Sequence, residues 1–244
     1  LSHLLEEVVA DFWTLNLHDA DPLFVRYLQR HKVTPHSLMS LARTVCSASS
    51  LEVLGLRQGA PPELVSDELE SRYAVLRALW QPHASGLLAA LKKSGLKHPW
   101  YSLDRTAQAV DDWLDHDRLT PPTKELYTLT REGLCEGANR PHLPQEGQLA
   151  SLLDALDAFY DEWTGQLEPL LHEHLMHLQS RLALQVRERF EDRKRSARSW
   201  SYDDLLTELD RALQGETGEL LATAMRAETR AVLVDEFQDT DPIQ

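Results

Sequence analysis

The chain has 244 residues, and its 39 acidic against 25 basic side chains give it a formal net charge of −14. This balance argues against a dedicated nucleic-acid-binding module, which would be basic, although one local basic patch on an acidic surface can still hold DNA. No apolar run approaches the roughly 20 residues that a membrane-spanning helix needs. The two cysteines, Cys46 and Cys135, are far apart in the sequence and indicate a reducing compartment rather than a disulfide scaffold or a zinc site.

Helical periodicity dominates the first part of the chain. Apolar residues recur at helical spacing from Leu4 to Trp13. Asp21 before Pro22, and then Pro35, predict the starts of two further short helices, because proline is favoured in the first turn of a helix.

The middle of the chain is predicted to alternate between helices and breaks. Residues 63–91 carry a helical pattern that Pro82 is predicted to interrupt, because proline removes a backbone donor. A break is predicted at 97–99, a short helix at 107–114, and a loop-rich stretch over 115–148.

The longest predicted element covers 148–195, where an apolar stripe continues from Leu149 to Phe190. Gly165 and Pro169 are predicted to split this element into two helices.

A basic cluster lies at the end of this element. Its candidate DNA-contacting members are Arg193, Lys194, Arg195 and Arg198. Positive side chains there can contact DNA phosphates. Bases at a helix C-terminus also offset the helix dipole, so both interpretations stay open.

Two other features invite a functional interpretation. The group His172, Glu173, His174 and His177 lacks the spacing of a zinc-protease motif and predicts a solvated polar face. Trp200, beside the basic cluster, is the one tryptophan that we consider as a base-stacking platform.

Residues 199–244 predict helix, helix and strand in that order. Ser201 and Asp204 fit a capping box at the start of the first helix, with Asp in place of the usual Glu. Gly215 and Gly218 mark a turn before a short second helix.

The strongest chemical signal lies at 231–244, which read AVLVDEFQDTDPIQ. The apolar run at 231–234 predicts a buried parallel strand that delivers Asp235 and Glu236 to the C-terminal edge of a sheet. Ligands bind at that edge in open α/β folds. One carboxylate there can hold the Mg²⁺ that bridges nucleotide phosphates, and its neighbour can orient the attacking water.

The string DEFQDTDP at 235–242 closely resembles the Walker B segment, or motif II, of UvrD-like superfamily 1 DNA helicases. Its Phe237 and its Asp241-Pro242 pair most resemble the RecB-type helicase–nucleases. The segment 201–206, SYDDLL, is similar to the aromatic-Asp-Asp-Leu-Leu segment that these helicases carry shortly before motif II.

This resemblance implies an ATP-dependent DNA helicase and exonuclease subunit that unwinds and resects duplex ends in recombinational double-strand break repair. It implies ATP and Mg²⁺ as cofactors, and single-stranded DNA, duplex ends and the other subunits of an exodeoxyribonuclease V-type complex as partners. It also implies that the protein lies in the bacterial cytoplasm and does not bind a membrane. By the same resemblance, Asp235 coordinates Mg²⁺ through water, Glu236 is the general base or water-orienting acid, and Gln238 lies near the γ-phosphate.

The implied fold is mainly α. Residues 1–198 correspond to a helical 1B-like insert domain, and residues 199–244 to part of the α/β, RecA-like motor domain 1A with one strand and the Walker B motif. No glycine-rich P-loop of the form G-x-x-x-x-G-K-[ST] occurs in the sequence. We therefore expect an internal fragment of a larger helicase, and we expect it to be inactive by itself.

Three alternatives stay open at this point. The parent is a UvrD-type helicase without a nuclease, an AddA-type subunit, or a non-catalytic helical interaction module. In the last case Asp235 and Glu236 are structural acids at the end of a strand.

Overall fold

Helices account for most of the residues that the computed structural model describes, which are 1–47, 63–64, 67–94, 102–116, 120–137, 143–200, 202–229 and 231–233. In chain order the described α-helices are α1 (Ser2–Leu17), α2 (Pro22–Arg30), α3 (Pro35–Ser47), α4 (Asp67–Lys92), α5 (Leu103–His116), α6 (Thr123–Leu129), α7 (Arg131–Gly137), α8 (Gln148–Glu162), α9 (Glu168–Ser196), α10 (Tyr202–Gln214) and α11 (Gly218–Glu228). A π-helical turn, Trp163–Leu167, joins α8 to α9. Within the described ranges, no helix combines the length and the apolar character of a transmembrane span.

The helices α2 and α3 begin where the sequence predicts. The carboxylate of Asp21 accepts a hydrogen bond of 2.7 Å from the backbone N–H of Leu23, and Pro22 occupies the first helical position. This is the N-cap arrangement that the Asp-Pro pair predicts. The helix α1 buries Val9 and Phe12 completely, and α3 begins at Pro35.

The predicted interruption at Pro82 is wrong, because α4 continues through it. Proline leaves the carbonyl of Ala78 without its helical donor. Ala78 and Pro82 both lie on the exposed face of α4, so water can satisfy that carbonyl. Trp80 and Leu87 are buried on the opposite face, and their packing holds the helix together across the proline.

The predicted split at Gly165 and Pro169 is also wrong. The elements α8, the π-helical turn and α9 follow one another without a break over 148–196, a length of about 70 Å. The backbone N–H of Glu168 donates to the carbonyl of Trp163, five residues earlier, as in a π-helix. One such turn absorbs an extra residue, so the helix continues past a proline that would otherwise interrupt its hydrogen-bond ladder.

The core lies on both sides of this long helix. Its first half, α8, packs against α4 and α6, and its second half, α9, packs against α1, α2 and α3. The ring of Phe159 lies 6.5 Å from that of Tyr73 on α4. Leu156 is fully buried within α8, as are Leu182 and Val186 within α9. The long helix is therefore shared by both halves of the core.

The stretch predicted to be loop-rich, 115–148, contains the two short helices α6 and α7. Arg131, at the start of α7, holds this hairpin to α8. Its backbone N–H donates to Asp157 over 2.8 Å, and its guanidinium lies 2.5 Å from Asp154. The predicted break at 97–99 falls outside the described residues.

The two predicted C-terminal helices are confirmed as α10 and α11, but the strand is not. Residues 231–233 have no regular structure, and Leu233 is 98% exposed. A strand needs a hydrogen-bonded partner. None of the described ranges forms one. The capping box predicted for Ser201 and Asp204 depends on Ser201, which lies outside the described residues.

Candidate functional site at the end of the long helix

The predicted motif II residues Asp235, Glu236 and Gln238 lie outside the described residues. The structure does place the elements that lead to them, namely the end of α9 and the helices α10 and α11. The candidate site that can be described is therefore the basic end of α9 and its junction with α10.

Two arginines in the second half of α9, Arg187 and Arg193, hold this helix to its neighbours. The guanidinium of Arg187 donates to the carbonyl of Val45 over 2.8 and 3.3 Å, which satisfies an orphan carbonyl near the end of α3. Arg193 lies 3.1 Å from Glu7 and also donates to Asp11, both on α1. These contacts position α1 and α3 against the long helix.

Lys194 is buried, with 5% of its surface exposed. Its Nζ donates to Asp204 on α10 and lies 2.6 Å from a carboxylate oxygen of Glu191. The ring centroid of Phe190 is 5.2 Å away, within cation–π range. Burial by itself lowers the pKa of Lys194, but its hydrogen bonds to Asp204 and Glu191 outweigh that effect and the pKa is raised. Lys194 is thus a fully charged side chain whose ammonium is enclosed by protein.

Arg195 and Arg198 are the exposed members of the cluster. Arg195 lies 3.5 Å from Asp192, and both side chains are about two-thirds exposed or more, so this pair contributes little stability. Arg198 has φ = 50°, in the left-handed region where glycine is usual. These two guanidiniums remain accessible to phosphate, and their contact with DNA stays a prediction.

A groove of about 520 Å³ runs between α1 and the last turns of α9. Val8 and Leu15 form part of its apolar wall, and Arg189 and Ser196 line it from α9. Asp11 and Asp192 also line it. The groove therefore carries both signs of charge rather than one basic surface.

The histidine group on α9 is divided between solvent and core. His172 is exposed, whereas His177 is buried, so the predicted solvated face is wrong at that position. His174 packs against Phe24 with ring centroids 5.4 Å apart. The described residues contain no group of His, Cys, Asp and Glu side chains that could hold a metal ion. Trp200 is 57% exposed, and its role in base stacking stays a prediction.

Sequence reasoning missed the link between Lys194 and Asp204. The pairing of Glu191 with Lys194 follows from their helical spacing of three residues. The contact with Asp204 depends on the path of the chain after the turn at 197–198, and no local spacing rule encodes it.

The chain is similar to known helicase sequences. The model of the UvrD/REP helicase N-terminal domain matches residues 85–244. The RecBCD enzyme subunit RecB of Escherichia coli (strain K12) is 26% identical over 185 residues, which cover 72% of this chain and 14% of that protein. RecB of Mycobacterium tuberculosis (strain H37Rv) is 45% identical over 64 residues, or 26% of this chain and 6% of that protein. The chain thus spans a small part of the relatives that it matches.

Proposed function

Because the chain belongs to the UvrD/REP helicase family, we propose that it contributes part of the motor and an inserted helical domain to an ATP-dependent DNA helicase of the RecB type. The observation that carries this proposal is the string DEFQDTDP at 235–242, which directly follows the apolar run of a predicted strand. The family match extends through these residues and so supports the assignment to motif II.

Each residue of the motif has a proposed role. Asp235 helps to coordinate Mg²⁺ through water, and Glu236 orients or deprotonates the attacking water. Gln238 lies near the terminal phosphate of ATP. Adjacent carboxylates are a fitting donor set, because Mg²⁺ prefers carboxylate oxygens and retains several waters. When bound, the ion would neutralise charge on the phosphates.

The chain divides into 1–198, a 1B-like insert, and 199–244, a segment of motor domain 1A. Burial supports this boundary. The buried apolar side chains of the described residues run from Leu5 to Val186. Beyond them, α10 and α11 expose large apolar side chains, namely Leu205, Leu209, Leu213, Leu220 and Met225. Apolar stripes of this kind are covered when a helix packs into a larger domain.

The parent protein is proposed to act on single-stranded DNA and duplex ends, together with further subunits of an exodeoxyribonuclease V-type complex and with an exonuclease activity of its own. The similarity to subunits of the RecBCD enzyme supports this. Arg195 and Arg198 are the members of the basic cluster with guanidiniums open to DNA phosphates. Arg193 and Lys194 contribute to this surface indirectly. Their ion pairs with Glu7 and Asp204 hold the end of α9 in position.

The test measures ATP hydrolysis by the full-length protein in the presence of single-stranded DNA and Mg²⁺. We expect Glu236→Gln to lower the rate on the order of 10²–10⁴-fold while nucleotide binding is retained, because the substitution removes only the charge that positions water. Asp235→Asn is expected to weaken Mg²⁺-dependent nucleotide binding as well.

Two controls accompany these variants. Glu228→Gln, at the exposed end of α11, is the matched control and is expected to change neither rate nor binding. The 244-residue chain alone carries no P-loop and is expected to hydrolyse no ATP. Near-normal hydrolysis by Glu236→Gln would contradict the motif II assignment and favour a helical interaction module.

A further inference from the structure

We propose that Lys194 is a positioning residue that couples the helical body to the motor segment, acting together with Glu191 and Asp204. These three residues are called the α9–α10 clamp. This role rests on the proposed function, because it concerns the transmission of movement to the segment that leads to motif II.

The clamp joins two elements through one enclosed charge. Glu191 and Lys194 belong to α9, and Asp204 lies in the first turn of α10. Lys194 Nζ contacts both carboxylates, and Asp204 is itself largely buried, with 17% of its side chain exposed. Salt and water therefore screen this bridge much less than the exposed pair of Arg195 and Asp192 on the same helix.

The backbone of Lys194 also fixes the turn that follows. The carbonyl of Lys194 accepts a hydrogen bond of 2.9 Å from the N–H of Ser199, and the N–H of Arg198 donates to Arg195 over 3.1 Å. These two bonds form a Schellman motif. Lys194 thus directs the chain out of α9 with its carbonyl and holds the start of α10 with its ammonium.

Little apolar packing joins α10 to the helical body within the described residues. Leu205 is 58% exposed, and Leu209 and Leu213 are exposed as well. Apolar contacts are non-directional. Charge-assisted hydrogen bonds depend on both distance and angle. The clamp therefore sets the orientation in which α10, and with it α11, leaves the helical body.

A buried ion pair of this kind is better explained by orientation than by stability. Replacing such a pair by apolar groups of similar volume is often neutral or stabilising, because the charges no longer have to be stripped of water. The long helix lies between both halves of the core and ends at the clamp. A displacement of the helical body by DNA is therefore passed through Lys194 to α10, and ATP hydrolysis stays coupled to strand separation.

The test uses the full-length protein and measures the number of base pairs separated per ATP hydrolysed on a blunt duplex. Lys194→Met/Asp204→Leu replaces both charges by apolar groups and leaves no buried carboxylate of Asp204 unpaired. It is expected to melt at the wild-type temperature or above, and to keep its DNA-stimulated ATPase rate. The base pairs separated per ATP are expected to fall by roughly 5-fold or more, the lower end of typical coupling between sites.

Lys92→Met/Asp104→Leu is the matched control, because it removes an ion pair of the same two residue types, 2.6 Å apart between α4 and α5, without touching α9 or α10. It is expected to leave the base pairs separated per ATP unchanged. If the double variant does not fold, Asp204→Asn is tested in its place, because it keeps the shape of the side chain. It is expected to lower the number of base pairs separated per ATP.

Three results would overturn this role. A double variant that melts like wild type and separates as many base pairs per ATP would make the pair a stability element only. An unchanged ratio in a folded Asp204→Asn protein would do the same. An equal loss in Lys92→Met/Asp104→Leu would point to a general effect of removing an ion pair between helices. A wild-type protein without DNA-dependent ATPase activity would instead refute the proposed function, and the coupling role with it.

Discussion

The left-handed conformation of Arg198 makes a specific prediction about the stability of the junction between α9 and α10. Arg198 occupies the C′ position of a Schellman motif with φ = 50°, where glycine is usual. An L-residue pays roughly 1–2 kcal/mol for this conformation because its Cβ approaches the carbonyl oxygen. Glycine avoids that cost but loses about 0.5–1 kcal/mol through the greater freedom of the unfolded chain.

We therefore expect Arg198→Gly to raise the free energy of unfolding by about 0.5–1 kcal/mol. For a domain of this size that corresponds to an increase of about 1–4 °C in Tm. Urea unfolding of the 244-residue chain, followed by circular dichroism, measures the change, with the slope of the transition checked for two-state behaviour.

Two variants separate conformation from side-chain loss. Arg198→Ala removes the same charge but keeps the Cβ, so its free energy of unfolding is expected to stay within about 0.5 kcal/mol of wild type. Ala197→Gly changes the preceding residue, which has φ = −80°, and is expected to destabilise by about 0.5–1 kcal/mol. An Arg198→Gly protein that is no more stable than Arg198→Ala would show that the left-handed conformation of Arg198 does not destabilise the junction.

Two further predictions concern the core and the acid range. Leu156→Ala, at a fully buried position of α8, is expected to lower the free energy of unfolding by about 2–5 kcal/mol. Leu184→Ala, at a half-exposed position of α9, is expected to lower it by about 0.5 kcal/mol or less in the same urea assay. Equal losses in the two variants would contradict the described core. Burial raises the pKa of Asp157 above its usual 3.8, against the lowering effect of Arg131. The protonated carboxyl of Asp157 therefore contributes stability below the unfolded pKa, and this contribution is lost as pH rises through the folded pKa. The free energy of unfolding of wild type minus that of Asp157→Asn should therefore fall as pH rises through the acid range, and a difference that rises with pH would show that the pKa is depressed instead.

The sequence predicted most helices because their apolar spacing is a local property. The stripes of α1, α3 and α9 recur every three or four residues, and Asp21 with Pro22 marks the start of α2 by its own capping chemistry. Packing against the core then fixes these helices where the pattern already places them.

Pro82 and Pro169 were predicted wrongly because their effect depends on surroundings that a local rule omits. Pro82 lies on the exposed face of α4, where water can satisfy the carbonyl that proline leaves without a donor, and near Pro169 a π-helical turn absorbs the irregularity. The strand predicted at 231–234 also depends on non-local partners, and its described residues remain exposed. The candidate site shows the same limit, because no pattern along the chain pairs Lys194 with Asp204.

The π-helical turn has a consequence for insertions and deletions. Each residue of an α-helix advances the side-chain direction by about 100°, so one extra residue in a plain α-helix would rotate everything beyond it by about that angle. A π-helical turn absorbs the extra residue and leaves the later side chains in register. Gly165 lies in this turn, and a Cβ added there meets nothing within 4 Å. Substitution of Gly165 is therefore tolerated by the space around it. Its deletion would convert the π-helical turn into a plain α-helical turn, and Leu171, Leu182 and Lys194 would keep their present directions. The turn is thus a place where the long helix can lose one residue without changing which faces its second half presents, whereas a deletion within α9 itself would rotate all later side chains by about 100°.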